Sequence, residues 1–407
     1  MTATRSVIVA GAGIGGLTAA LALARNGFRV TVLEQAERLS ETGAGIQLSP
    51  NATRCLIDLG VGDRLRPHVT APAALRVLVG RNGREIIRMP LGGATERYAA
   101  PYWMIHRGDL QSALVAAVAQ ERDISLKLGM RVEDFATHSH GVTVSASGAG
   151  GVWHERGHAL IAADGLWSQS RARLGFKDPP RFAGRTAWRA LIPASDVPAE
   201  WRKPLVHLWL GRDAHLVHYP VKAGAMINVV VITTDKWNAP GWSAPASRSD
   251  LLPRLAAESW APEARTLVGK PETWLKWALY DHRPLSSFCY GAAALIGDAA
   301  HPMLPFLAQG AAMAIEDAVV AAHCLARMPD DAAAALQSFS TLRRRRTRKV
   351  QRLAAKNGAR YHLSALPAML RNAAMHAMGG GRLLRHYDWL YGWRPPTVSS
   401  TPTTVDA

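Results

Sequence analysis

The residues best suited to chemistry in this chain stand at the ends of apolar runs. Gly11-Ala12-Gly13-Ile14-Gly15-Gly16 follows SVIVA and fits GxGxxG through Gly11, Gly13 and Gly16. Glycines at this spacing permit a tight turn, close approach of backbone to a pyrophosphate, and close packing of a helix on a strand, with the diphosphate at the positive end of the helix dipole. Glu34 ends the next strand-like run, 21 residues after Gly13, where a carboxylate can accept a ribose hydroxyl. The combination points to dinucleotide binding, against the blander reading of a purely structural glycine turn. By itself the fingerprint leaves FAD and NAD(P) open.

Two more acids repeat the pattern. Asp164-Gly165 follows HALIAA and precedes LWSQSRARLG, and Gly297-Asp298 closes the run AALI. Taken singly, Asp164 would more often be a helix N-cap than a ligand, and Asp298 could belong to an ordinary turn. After Asp298, however, comes a Pro-rich turn and then Gln309-Gly310-Ala311, opening a helical run with free N–H groups and little side chain. A strand ending in a carboxylate followed by such a helix start is the layout of a polar-cofactor cradle.

Positioning these residues requires strand, turn and helix in alternation, and residues 6–34 read that way: SVIVA, the glycine turn, LTAALALARNG, then FRVTVLE. YWMIH repeats a strand-then-helix theme, with Asp109 expected to N-cap LQSALVAAVAQ. Residues 181–290 change character, with VHLWL, HLVHYPV and MINVVVITT separated by short turns like antiparallel hairpins. The fold expected is α/β: a discontinuous Rossmann-like domain (1–70, 101–180 and 290–365), an antiparallel β-sheet substrate domain (71–100 and 181–289), C-terminal helices (366–395) and a disordered tail (396–407).

Composition bounds the function. The 407 residues, 48% hydrophobic and 19% charged, suit a globular chain with a large core. No uncharged apolar stretch is long enough to span a bilayer, and strand-like sequence begins at Ser6, so a soluble, cytoplasmic protein is expected. Cys55, Cys289 and Cys324 form no CxxC pair, which argues against a zinc site or a disulfide framework. Of the formal charge of +17, 12 positive charges fall between Asp331 and Asp388, where no acid occurs. Leu342, Val350, Leu353, Ala354 and Tyr361 fall at roughly helical spacing there, so one stripe is expected to pack while the arginines face outward as a solvated basic face. Attraction of anionic ligands is the alternative use of that charge; nucleic acid and stable membrane association are not expected.

Together the motifs resemble the single-component flavoprotein aromatic hydroxylases, also called class A flavin monooxygenases. GAGIGG, ADGLWSQSR and GDAAHPMLPFLAQGAAMAIEDA look like that family's three signatures, and GAGIQLSPNA, HRGDL and YDWLYGW are similar to salicylate and 3-hydroxybenzoate hydroxylases. The likeness covers nearly the whole chain and is least specific in residues 181–290. It implies FAD as cofactor, held by Gly11, Gly13, Ile14, Gly15, Gly16, Glu34, Gly45, Gln47 and Arg107. It also implies that Asp298 meets the flavin ribityl chain, that Gly310 and Ala311 point N–H groups at the flavin, and that Asp164 lies near the diphosphate and the pyridine-nucleotide groove.

The implied reaction is reduction of FAD by NADH or NADPH, followed by O2 addition and hydroxylation of a small phenolic or aromatic carboxylic acid through a flavin C4a-hydroperoxide. A pocket walled by the hairpin sheet and by Pro302, Leu304, Pro305 and Phe306 should exclude water. His215 and Tyr219 are the candidates for phenol activation. Strand alternation puts them on one face with Val217 and Val221, and the resemblance, not the periodicity, turns that face inward; a merely structural strand histidine is the alternative. Gln47 stands where some hydroxypyridine-carboxylate relatives use His, and Pro305 where a 3-hydroxybenzoate hydroxylase more typically has Gln, so a salicylate-like acid is favoured. Hydroxylation of an N-heteroaromatic, a flavin oxidase or dehydrogenase on the same fold, and a basic binding protein are the competing readings. No metal is expected, and the assembly is a monomer or a homodimer.

Overall fold

The computed structural model describes residues 5–39, 44–237 and 243–396. Val7, Ile8, Val9 and Ala10 are all buried, and a run without a polar face must lie in a sheet covered on both sides. It does: Ser6–Ala10 is central in a six-stranded sheet, flanked on one side by Arg29–Leu33 and Ile124–Lys127 and on the other by Ala159–Ala162, Ala293–Leu295 and Cys289–Tyr290. All neighbours pair in parallel except the edge strand Cys289–Tyr290. The register places Ala10 beside Ala162 and Leu33, and Ala162 beside Leu295. Four strands therefore end level, and the residues that follow them, Gly11, Glu34, Ala163 and Ile296, leave along one sheet edge.

The second sheet has eight strands in the order Ser243–Ser247, Thr273–Asp281, Arg181–Pro193, Met226–Thr234, Ala214–Val221, Leu205–Leu210, Ala74–Val79 and Glu85–Pro90. The three runs read as hairpins are neighbours in it. Both faces of Ala214–Val221 are covered: Leu216 packs in a tryptophan-rich core with Trp188, Trp260 and Trp274, and His215 and Tyr219 lie on the other face, 2% and 4% exposed.

Three features depart from expectation. Residues 131–157 form a separate three-stranded antiparallel sheet, its outer strands alternating between exposed and half-buried residues. The helix after YWMIH is Arg107–Val118, with His106 at its N-cap position and no side-chain cap; Asp109 lies in its first turn, paired with Lys222 at 3.1 Å, and is not the N-cap. In the long helix Ala332–Tyr361 the inward stripe runs through Arg343, Thr347, Val350 and Ala354, while Leu342 is 50% exposed. Arg343 turns inward because two buried acids, Glu316 and Asp317, await it. No helix among the described residues is long and apolar enough to cross a membrane. The expected tail, apart from Pro396, lies outside the described residues.

Candidate active site

The level strand ends bring the glycine turn to the edge of a cavity of about 350 Å³, whose opposite wall is the eight-stranded sheet. Each glycine of the turn has a distinct reason. A Cβ at Gly16 would lie 1.9 Å from the Gly11 carbonyl oxygen, and one at Gly11, where φ is +101°, would lie 2.6 Å from the Ala163 oxygen. A Cβ at Gly13 would meet nothing within 4 Å. Packing thus demands two of the glycines, whereas the space beside Gly13 is open toward the cavity that Gly13, Ile14 and Gly15 line. That opening at a helix start fits a diphosphate.

Glu34 sits at the turn itself: its carboxylate accepts the Ala12 N–H at 2.7 Å and the Ala36 N–H at 2.9 Å. Asp164 is differently engaged. It accepts the Ser168 hydroxyl at 2.6 Å and the Ser170 N–H at 3.0 Å, bracing the short helix Gln169–Arg173, while its neighbours Ala163 and Gly165 line the cavity.

Asp298 lines the cavity with its side chain exposed to it; the surrounding protein, by desolvating the carboxyl, raises it above the usual range against the pull of His301, Arg107 and Arg171. Across from it the helix Gly310–Arg327 begins without a side-chain cap, and Gly310 and Ala311 face the cavity. Unsatisfied N–H groups and a positive dipole end therefore point into the same space.

A buried ion network holds this corner. Asp317 accepts the Gly297 N–H at 3.0 Å, meets His301 Nε2 at 2.5 Å and takes Arg343 Nε at 2.6 Å. Glu316 pairs with Arg343 and Arg346 at 2.7 Å each and accepts Asn51 Nδ2 at 2.7 Å. Burial alone would raise the Asp317 carboxyl, yet His301 and Arg343 outweigh it and leave the group lowered. The Asp298 turn is thereby tied to two helices.

On the sheet wall, His215 and Tyr219 line the cavity with Val217, Val230 and Ile232. Gly45 comes so close that a Cβ there would meet Asn228 at 2.7 Å and Tyr219 at 2.8 Å, and its N–H donates to Asn228 Oδ1 at 2.7 Å. Gln47 and Arg107 also line this cavity. Burial, reinforced by the neighbouring His362 and Arg185, lowers the His215 imidazole well below its ordinary value; burial raises the Tyr219 phenol. A second cavity of about 610 Å³ shares Gln47, His215, Val217, Pro305 and Ala308 with the first and reaches Tyr361, Tyr387 and Tyr391. Pro305 and Phe306 line it, whereas Pro302 and Leu304 line neither cavity; Met303, unforeseen, lines the first.

Three side chains were missed from sequence. Tyr102 donates to Gln47 Oε1 at 2.8 Å. His362 Nε2 lies 2.8 Å from His215 Nδ1 and contacts Arg185. Arg189 lines the first cavity; a lone cation within the apolar strand run TAWRALIP was its only signal.

A parallel dinucleotide sheet opening onto a sheet-walled pocket lined by His215 and Tyr219 defines a flavin-dependent oxidoreductase. Comparison with known proteins agrees. The chain belongs to the FAD binding domain family, which it matches over residues 4–354, and within it to the class A aromatic hydroxylases. It is 36% identical to 3-hydroxybenzoate 6-hydroxylase 1 of Aquipseudomonas alcaligenes, with 95% of this chain and 97% of that one aligned. To a 3-amino-4-hydroxybenzoate 2-monooxygenase of Streptomyces platensis it is 36% identical, with 97% of each aligned. The crystal structure of Klebsiella pneumoniae HpxO complexed with FAD and uric acid superimposes with a TM-score of 0.84 at 27% identity, covering 96% of this chain and 97% of that one. The protein is an FAD-dependent monooxygenase.

Proposed function

We propose that the protein hydroxylates a small phenolic carboxylic acid, with NAD(P)H as reductant and O2 as the oxygen source. One observation carries the reading: the open glycine turn, the bare helix start at Gly310 and the His215–Tyr219 wall all face a single cavity. Its relatives at 36% identity are named for hydroxylation of hydroxybenzoates.

FAD, when bound, accepts hydride and activates O2 for transfer to the ring. Gly13, Ile14 and Gly15 admit the diphosphate, Glu34 receives a ribose hydroxyl, and Asp298 with the Gly310 and Ala311 N–H groups holds the ribityl and pyrimidine end. Arg107, Gly45 and Gln47 complete that cradle. The neighbouring Pro305 and Phe306 keep water from the ring. Residues 1–70, 101–180 and 290–365 act as the FAD-binding unit, with 71–100 and 181–289 walling the substrate.

His215 cannot hold a phenol proton by itself. A free phenol lies near 10 and an ordinary imidazole near 6.5, a preference of more than about 10³ for the proton to stay on oxygen, and His215 is less basic still. His215 therefore orients the substrate hydroxyl by hydrogen bonding rather than taking its proton, its ring held by His362, with Tyr219 beside it sharing that task.

The test is a panel of hydroxybenzoates and hydroxypyridines, with NADH and NADPH each, scoring cofactor oxidation and hydroxylated product together. Coupled product from an aromatic acid supports the reading. NAD(P)H oxidation that no aromatic compound stimulates, or a purified chain that takes up no FAD, would refute it.

A further inference from the structure

The long helix Ala332–Tyr361 carries two kinds of arginine. Arg343 and Arg346 turn inward to Glu316 and Asp317. Arg344, Arg345, Arg348, Lys349, Arg352 and Lys356 instead line a surface groove of about 1020 Å³, whose lining among the described residues includes no acid. None of the salt bridges among the described residues includes any of the six, and the Arg344 Nε is shielded from water without a hydrogen-bond partner. The Lys349 ammonium lies over the Trp389 ring, 3.7 Å from its centre. Like charges four residues apart destabilise a helix, so the row works against the fold that carries it.

Helix geometry carries the row toward the active site. Arg344, Arg348, Arg352, Lys356 and Arg360 follow at every fourth residue. Because a turn takes about 3.6 residues, each step advances the row about 6 Å and winds it about 40° round the helix. The first four members line the groove, and the fifth, Arg360, lines the cavity of about 610 Å³ that reaches His215. Leu353 and His386 line both spaces and form the wall between them. Arg371 adds a second cation beyond that wall, and no acid among the described residues lines the inner cavity either. An ordinary solvated face accounts for exposed cations, but not for the same sign of charge continuing into a largely apolar interior. One sign of charge along a low-dielectric path focuses the field and draws in the opposite ion.

We infer that the basic groove is the entrance by which the anionic aromatic substrate reaches the inner cavity, passing between Leu353 and His386. The inference rests on the hydroxylase reading above and deepens it, adding a kinetic selection for anions ahead of the chemistry. The groove cations act on the rate of encounter and not on the ring once it lies beside His215.

Entry is measured as the association rate of 2-, 3- and 4-hydroxybenzoate and of their neutral amides, by stopped-flow perturbation of the flavin spectrum in the FAD-loaded protein. Salt is varied from about 20 to about 500 mM NaCl, over which the screening length falls several-fold. The best-binding acid should lose at least about tenfold in rate across that range, and its amide less than about twofold. R345Q/R348Q/R352Q should slow the acid about fivefold or more at low salt and flatten its salt dependence, with dissociation rate, kcat at saturating acid and FAD content within about twofold of wild type. R81Q/R122Q/K177Q removes the same number of charges from exposed residues outside both cavities and should leave the acid's rate within about twofold. Leu353→Trp, which narrows the passage, should slow acid and amide alike. An acid whose rate ignores salt, a control triple that slows it as much as the groove triple, or unchanged rates in Leu353→Trp would overturn the entrance and, with coupled product intact, leave the hydroxylase standing. Should Leu353→Trp fail to fold, judged by FAD content and melting temperature, His386→Trp at an exposed position takes its place. A protein that binds none of the acids refutes both readings.

Discussion

His215 Nδ1 and His362 Nε2 lie 2.8 Å apart, joining the sheet wall of the cavity to the residue that ends the long C-terminal helix. Burial, then the charges of Arg185 and Arg371, push the His362 imidazole down to about 3, and burial and its cationic neighbours hold His215 low as well. Both pairs of ring nitrogens are therefore neutral at neutral pH, and one ring must donate to the other.

Stability should follow from this. Folded-state values lie below the unfolded value near 6.5, so the unfolded chain binds more protons as the pH falls. The contribution is complete above about pH 6.5 and is lost progressively toward pH 3, with His207, pushed to about 4, adding to the loss. Melting temperature measured from pH 7.5 to 4.5 should drop for the wild type, and the slope should be shallower for His362→Gln.

The glycine turn separates stability from cofactor binding. At Gly16 an added methyl would collide with the Gly11 carbonyl at 1.9 Å, and backbone cannot yield cheaply. At Gly13 it would meet no protein atom, and φ is an ordinary −71°. Gly16→Ala should lower the apoprotein melting temperature by several degrees. Gly13→Ala should leave it within about a degree while weakening FAD at least about tenfold, read by flavin retention after gel filtration.

The turn was legible in sequence because it is local: strand, glycines and helix are contiguous, and Glu34 follows at a fixed distance. The hairpins 205–234 were legible for the same reason. Arg189, Tyr102 and His362 were not, because their meeting depends on sheet register and on distant chain segments, 55 residues apart for Tyr102 and Gln47 and 147 for His215 and His362. Asp164 shows the limit differently, since the sequence allowed both a cap and a ligand, and its carboxylate brackets Ser168 and Ser170. The arginine run was misread for Arg343 and Arg346, because a charge run resembles a solvated face unless the buried Glu316 and Asp317 that it satisfies are known.

That network gives a further expectation. Asp317 and Arg343 are 0% and 1% exposed at their side chains, so removing either leaves the other charged and enclosed. Asp317→Ala or Arg343→Met should cost about 3–5 kcal/mol in urea unfolding. Asp317→Ala should also loosen the Gly297–Asp298 turn and reduce FAD retention. Equal stability of mutant and wild type would show that the network is not the anchor of that turn.

Gly45 tests whether the sheet wall governs coupling. Its N–H is fixed by Asn228, and a methyl there would press on Asn228 and on the Tyr219 ring at 2.7 and 2.8 Å. Side chains can yield by small shifts where backbone cannot, so Gly45→Ala should fold, with Tyr219 displaced from its seat. A displaced Tyr219 would orient the substrate hydroxyl poorly while hydride transfer proceeds. NAD(P)H oxidation should then stay within about threefold of wild type as hydrogen peroxide replaces hydroxylated product, whereas His215→Ala should lower product formation about 10²-fold through misplacement of the substrate hydroxyl. If Gly45→Ala remained fully coupled, Tyr219 would have no part in placing the ring.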